Sequence, residues 1–221
     1  EVICKPLSWL AMFLLYRIRW WGVHNVPNSG PVLLLCNHQS YLDLVTLRIG
    51  LYHRHFHSMA RASLFRHPLF AWHIRSLNAF PVEQGKGDVK AVRAAIDRLT
   101  QGHLVLVFPE GSRTADGRLQ PFSPGIMLLL KRAKPTVVPM AVDGVFDIWP
   151  IRQARPKLRG RVGAQYGQPI PADQLLAMPT DQAMQMLEQR IESLRLDVRR
   201  KLRRASNDRY PTDTLADLPT V

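Results

Sequence analysis

From Pro31 to about Ala164 the chain alternates short apolar runs with stretches of helical periodicity, the pattern of an α/β sheet protein. PVLLLC (31–36) is apolar at every position, which predicts a strand buried on both faces. Ser40 is placed to cap a helix running to about Leu51. Further strands are predicted at roughly 55–60, 79–82, 103–108, 136–142 and 161–166, with helices near 64–76, 88–101 and 124–133. Along 88–101, Val89, Val92, Ala95, Ile96 and Leu99 share one helical face. Residues 180–204 form a second amphipathic pattern through Met184, Leu187, Ile191, Leu194, Val198 and Leu202. The last turns of that helix carry Arg195, Arg199, Arg200, Lys201, Arg203 and Arg204 against a single Asp197. Two readings of this block stay open: a solvated basic face complementing the helix dipole, or a contact for anionic lipid. The predicted fold is α/β, a mostly parallel central sheet flanked by helices, in one domain over 26–204. The tail 205–221 is polar with Pro211 and Pro219, and is expected to be loose.

The N-terminal segment 1–25 departs from this pattern. Residues 6–16 (PLSWLAMFLLY) carry no charge, yet they fall short of the roughly 20 apolar residues that cross a bilayer. Trp9, Tyr16, Trp20 and Trp21 stand beside Lys5, Arg17 and Arg19. Aromatics mixed with cations at the edge of an apolar helix suit an amphipathic element lying among lipid headgroups. A core helix of a soluble domain is the alternative. Glu1 at the head of the chain points to a native start further upstream.

Charge narrows the partners. Thirty Lys and Arg against seventeen Asp and Glu leave a formal net charge of +13 over 221 residues. That excess asks for a polyanion: nucleic acid, an anionic membrane surface, or an anionic carrier or substrate. Nucleic acid fits least, because the cations are spread along the chain and no recognition motif is present. Cys4 and Cys36 sit in apolar runs without metal-ligand spacing, so neither a disulfide framework nor a zinc site is expected. A reducing compartment fits. His53, His55 and His57 alternate along one predicted strand with no acidic or Cys partner nearby, and read as surface or pocket-lining histidines.

Candidate chemistry gathers where two strands end. Asn37-His38-Gln39-Ser40-Tyr41-Leu42-Asp43 follows the strand at 31–36. Five residues on a regular helix would rotate His38 and Asp43 by about 140° from each other. A turn between them lets the carboxylate reach back to the imidazole. One ring nitrogen held by a carboxylate leaves the other free to take a proton, which is general-base geometry suited to activating an alcohol. By itself the spacing is weak. Phe108-Pro109-Glu110-Gly111-Ser112-Arg113 supports it, because this block also follows an apolar strand, where open α/β sheets build their sites. Gly111 permits close backbone approach, and Arg113 offers a planar fork for phosphate oxygens.

NHQSYLD and FPEGSR, in this order, closely resemble two blocks of the glycerolipid acyltransferase family, whose best-known members are the 1-acyl-glycerol-3-phosphate acyltransferases. Ala79-Phe80-Pro81-Val82-Glu83 and Val138-Pro139-Met140-Ala141-Val142 are similar to two further blocks, and the likeness runs from about Trp21 to Pro171. The resemblance implies His38 as base with Asp43 as its partner. It implies that Glu110, Gly111, Ser112 and Arg113 help bind a glycerol phosphate. Arg61 stands where relatives carry a basic residue near the phosphate, although it reads equally well as a surface cation. The implied reaction moves a fatty acyl group from acyl-CoA or acyl-carrier protein to a lysophospholipid, the product being phosphatidate if the acceptor is 1-acyl-glycerol 3-phosphate. It needs no metal or redox cofactor. The implied setting is peripheral or monotopic, on the cytoplasmic face of an anionic membrane. Two departures bear on the acceptor: Gln84 stands where relatives usually carry an arginine, and Phe122-Ser123-Pro124-Gly125 replaces a lysine-containing stretch. A phosphodiester lysolipid carries less charge and would need fewer cations. Lys86 is a candidate to compensate.

Overall fold

The computed structural model describes residues 13–66, 78–82 and 89–220, together with Leu10, Pro68, Ala71, Trp72 and Arg75. Strands β1 (Arg19–Trp21), β2 (Val32–Cys36), β3 (Phe56–Arg61), β4 (Ala79–Val82), β5 (Leu104–Val107), β6 (Thr136–Asp143), β7 (Gly163–Tyr166) and β8 (Ile170–Pro171) form one sheet. Its order is β1-β7-β6-β2-β5-β3-β4, with β8 also pairing β6. The pairs around β2, β5, β3 and β4 are all parallel, as is β1 with β7, while β7 and β8 run antiparallel to β6. A mostly parallel α/β sheet flanked by helices is therefore what the chain forms.

The apolar run at β2 is explained by its two neighbours and two faces. Val32, Leu34 and Cys36 enter one core with Leu47 and Leu51, the latter two from α1 (Asp43–Gly50) and its end. Val145 and Ile148 of α4 (Val145–Ile148) close the same layer. Leu33 and Leu35 enter the opposite core, against α2 (Val89–Thr100), α3 (Gly125–Ala133), α5 (Ala172–Leu176) and α6 (Thr180–Ser206). A strand covered by helices on both sides has no polar face to show.

Four expectations change. Trp20 and Trp21 lie in edge strand β1 rather than on a membrane helix. The Trp20 indole donates to the Thr46 carbonyl at 3.0 Å, and its ring covers Gly50. Three residues are too few for a strand period to show against the apolar run before them. Ser40 does not cap α1; the helix begins at Asp43, whose carboxylate turns back onto the preceding amides. The tail is not loose: Ala216 and Pro211 are buried, and the backbone carbonyls of Asp213 and Ala216 accept from Arg199 and Arg195 at 2.6 and 2.7 Å. The same two arginines, read from sequence as part of a basic surface, are thus internal. Arg195 is paired with Glu192 and Arg199 with Asp143.

Gly144 makes the turn out of β6 with φ of 83°, and a Cβ there would stand 2.0 Å from the Arg161 carbonyl oxygen. Only glycine fits, and the turn directs the chain through α4 to Trp149, which borders the site.

Candidate active site

β2 and β5 are parallel neighbours, so His38 and the loop after Phe108 emerge side by side at the carboxyl end of the sheet. Asn37 fixes the end of β2. Its amide donates to the Val142 carbonyl at 2.9 Å and its carbonyl accepts from Val142 N–H at 2.8 Å, locking β2 to β6. The next residue is clamped by the other loop: His38 N–H donates to Glu110 Oε1 at 2.6 Å, and His38 C=O accepts from Thr114 N–H at 2.8 Å.

The imidazole is then oriented on two sides. Its ring stacks on Phe108 with centroids 3.9 Å apart and planes 13° from parallel. Its Nδ1 lies 2.7 Å from Asp43 Oδ2. The same carboxylate oxygen accepts from the Gln39 and Ser40 amides at 2.7 and 2.9 Å, and Asp43 is fully buried. A carboxylate held by two backbone donors accepts the Nδ1 proton, which places the lone pair on Nε2. Nε2 has no hydrogen-bond partner among the described residues, and the side chain is 24% exposed. The turn that brings Asp43 back to His38 is the one its spacing implied.

Arg113 lies beside this pair. Its guanidinium carbon sits 3.6 Å over the Tyr41 ring, and Tyr41 in turn packs against Trp149 at 5.0 Å. Stacking fixes the plane of the guanidinium while leaving its edge N–H groups free for an oxyanion. Gly111 has φ of 72° and donates to the Phe108 carbonyl at 3.1 Å, turning the loop so that Ser112 is exposed next to Arg113. Arg61 ends β3 at the same end of the sheet, two strands from β2. Glu83, Gln84 and Lys86 lie outside the described residues. The Phe122–Gly125 stretch docks on the site loop through Ser123 N–H to the Pro109 carbonyl at 2.8 Å.

Glu110 is placed differently from a ligand-binding group. Its Oε1 takes the His38 amide and its Oε2 takes the Gln120 amide at 2.9 Å, so both oxygens face the protein's own backbone. Burial is the largest influence on it and pushes its pKa up to about 8 from 4.5, against the pull of the two amide donors. The folded chain therefore holds a proton that the unfolded chain releases. The stabilising contribution of that proton is full below about 4.5 and is lost as pH rises through about 8. Across that window the slope is about 1.4 kcal/mol per pH unit for one group. Glu110→Gln should remove this slope in urea denaturation series at several pH values, even though its amide NH₂ faces one of the two donors and lowers stability throughout. An unchanged slope would mean that Glu110 titrates normally.

Three contributors carried no signal as site residues. Gln39 donates from Nε2 to the Gly117 carbonyl at 2.9 Å and to Asp143 Oδ1 at 3.3 Å. Asp143, at the end of β6, is fully buried and pairs with Arg199 of α6 at 2.7 Å. Partners separated by 104 and 56 residues leave no local pattern to read. Among the described residues, no group of three or more His, Cys, Asp or Glu is arranged to hold a metal ion.

Comparison with known proteins bears on the family and the fold. A chloroplastic 1-acyl-sn-glycerol-3-phosphate acyltransferase of Arabidopsis thaliana is 29% identical over 152 residues, covering 67% of this chain and 42% of that protein. The chain thus spans less than half the length of the chloroplast relatives it matches. A 1-acyl-sn-glycerol-3-phosphate acyltransferase of Bacillus subtilis is 24% identical over 181 residues, covering 80% of this chain and 87% of that protein. The crystal structure of the 1-acyl-sn-glycerophosphate (LPA) acyltransferase PlsC from Thermotoga maritima superposes with a TM-score of 0.72 at 22% identity, covering 91% of this chain and 78% of that one. It shares the fold. The acyltransferase family profile matches residues 17–143, more than half of the chain, and with the His38–Asp43 pair and FPEGSR inside that span the chain belongs to the acyltransferase family.

Proposed function

We propose that this protein transfers a fatty acyl group from an acyl thioester to the sn-2 hydroxyl of 1-acyl-glycerol 3-phosphate, making phosphatidate. The observation that carries the reading is the 2.7 Å contact between His38 Nδ1 and Asp43 Oδ2, with Nε2 unpartnered and Arg113 nearby. His38 Nε2 takes the proton of the acceptor hydroxyl as its oxygen attacks the thioester carbonyl. The tetrahedral intermediate collapses, the carbon–sulfur bond breaks, and the imidazolium returns the proton to the departing thiolate. Arg113 holds the acceptor phosphate, so that the hydroxyl reaches the imidazole in a fixed register. The donor is acyl-CoA or acyl-carrier protein, and the basic surface suits either anionic carrier.

The protein works on a membrane in this reading. Among the described residues no helix is long and apolar enough to cross a bilayer. Leu10, Phe13, Leu14 and Leu15 nevertheless stand exposed, Leu14 at 66%. Side chains of this kind suit burial in the acyl boundary of one leaflet, with the enzyme peripheral on the cytoplasmic face.

An acceptor panel tests the assignment. With one labelled acyl thioester, 1-acyl-glycerol 3-phosphate should be acylated faster than glycerol 3-phosphate or lysolipids with phosphodiester headgroups. Arg113→Ala should raise KM for it roughly tenfold to a hundredfold, the scale of a lost charge-assisted phosphate contact. Reaction confined to phosphodiester lysolipids would sink the phosphatidate assignment, and Gln84 with Ser123 makes that the specific rival to watch.

A further inference from the structure

Arg17, Arg19 and Arg161 come together at the β1 edge of the sheet, away from the catalytic pair. The registers place them: Arg19 is level with Gly163, Gly163 with Asp143, and Asp143 lies just beyond the β6 residues paired with β2. They therefore share the carboxyl end of β2 with His38, three strands away, or about 14 Å at ordinary strand spacing. An open hollow of about 940 Å³ is lined by all three arginines together with Phe13, Leu14 and Trp20. Arg17 and Arg161 also line the two adjoining hollows. None of the three guanidinium groups is paired with an acid among the described residues. By contrast Arg195, Arg199, Arg203 and Lys201 on the neighbouring helix all are.

A further observation shows that the cluster costs the fold something. Burial, and then the charges of Arg17 and Arg19, pull the pKa of Arg161 below its ordinary value. Like-charge crowding without a counter-ion among the described residues points to an anion supplied from outside. The lining says which kind. Cations meet apolar and aromatic side chains that continue onto the exposed Leu10, Phe13, Leu14 and Leu15, so the ligand is amphiphilic.

We propose that Arg17, Arg19 and Arg161 form a second phosphate site, separate from Arg113, that takes the headgroup phosphate of an anionic phospholipid in the membrane. The site seats the enzyme on anionic lipid with His38 facing the same surface. This rests on the reading that the exposed N-terminal side chains meet a membrane, and not on which lysolipid is acylated.

Flotation of the full chain with vesicles tests it, using phosphatidylcholine alone or phosphatidylcholine with phosphatidylglycerol at roughly three to one. The triple variant R17Q/R19Q/R161Q should lose affinity for the anionic vesicles on the order of a hundredfold, the contribution of three cations near such a surface. Binding to phosphatidylcholine alone should change little. Lysine at all three positions should restore most of the loss. The variant R93Q/K131Q/R132Q makes the same change in net charge on exposed residues of α2 and α3 and should keep binding within a few fold, the effect of diffuse charge being screened at physiological salt. An equal loss in that control would assign the effect to overall charge and overturn the site. Flotation that does not depend on phosphatidylglycerol would overturn it too, while leaving the membrane reading standing. No flotation with any vesicle would bring down both. Arginine-dependent binding of inorganic phosphate in calorimetry, without arginine-dependent flotation, would assign the hollow to free phosphate instead. R17Q/R19Q, confined to exposed side chains, repeats the test should the triple variant not fold.

Discussion

Replacing His38 by alanine should lower kcat by on the order of 10³-fold, the middle of the range that a positioned general base contributes. The substitution removes the imidazole whose Nε2 has no hydrogen-bond partner among the described residues. Asp43→Asn should cost less, roughly 10²-fold. An amide oxygen can still accept the Nδ1 proton and the Gln39 and Ser40 amides, but the imidazolium formed during attack loses its counter-charge. The two variants also differ in stability. His38 is held mainly through its backbone, by Glu110 and Thr114, so the alanine variant should melt close to the wild type. Asp43 is fully buried and ties three donors together, so its asparagine variant should melt lower. Turnover by single-turnover acyl transfer, read with thermal melts, separates the chemistry from the fold. Unchanged turnover in His38→Ala would remove His38 from the mechanism. Equal losses of turnover and folding in both variants would make the pair structural.

The strands that carry the site were legible because burial on both faces writes an unbroken apolar run, as in VLLLC and LVLV. The His38–Asp43 contact was legible because it is local: five residues and one turn bring Asp43 to His38. Longer-range electrostatics leave no such mark. Arg195 and Arg199 fall on an amphipathic helix among other cations, and periodicity assigns them to solvent; only the fold shows that Asp143, Glu192 and the returning tail meet them. Glu110 shows the same gap within a motif. Its position in FPEGSR suggested contact with substrate, whereas its carboxylate spans the amides of His38 and Gln120 and shapes the site from behind. Arg113 could be named from sequence, but its stacking on Tyr41 depends on two loops from different strands.

Arg199→Met should destabilise the protein by about 3–5 kcal/mol, the cost of leaving a buried charge without its partner. Arg199 is 4% exposed and its guanidinium meets Asp143 Oδ2 at 2.7 Å, Asp143 Oδ1 at 3.2 Å and Asp217 Oδ1 at 2.9 Å. Burial pulls its pKa down, but Asp143 and then Asp217 outweigh that and hold it above the ordinary arginine value. Methionine fills much of the volume and supplies no charge, so among the described residues the Asp143 carboxylate would keep the weak 3.3 Å contact from the Gln39 side-chain amide. For a chain of this size, the melting temperature should fall by roughly 10 °C. Asp143→Leu in the Arg199→Met background removes the stranded carboxylate and should restore much of the stability, since an apolar pair often replaces a buried ion pair at little cost. Activity should not return with it. Gln39 follows His38 and its backbone N–H helps hold Asp43, so the restored core would still lack one of the two acceptors that orient the Gln39 side chain, leaving the Gly117 carbonyl alone to hold it. A double variant that regains melting temperature but turns over more slowly, with KM for the acceptor unchanged, would mark the Arg199–Asp143 pair as a positioning device for the catalytic turn. Full recovery of turnover along with stability would reduce it to a packing element that an apolar core replaces.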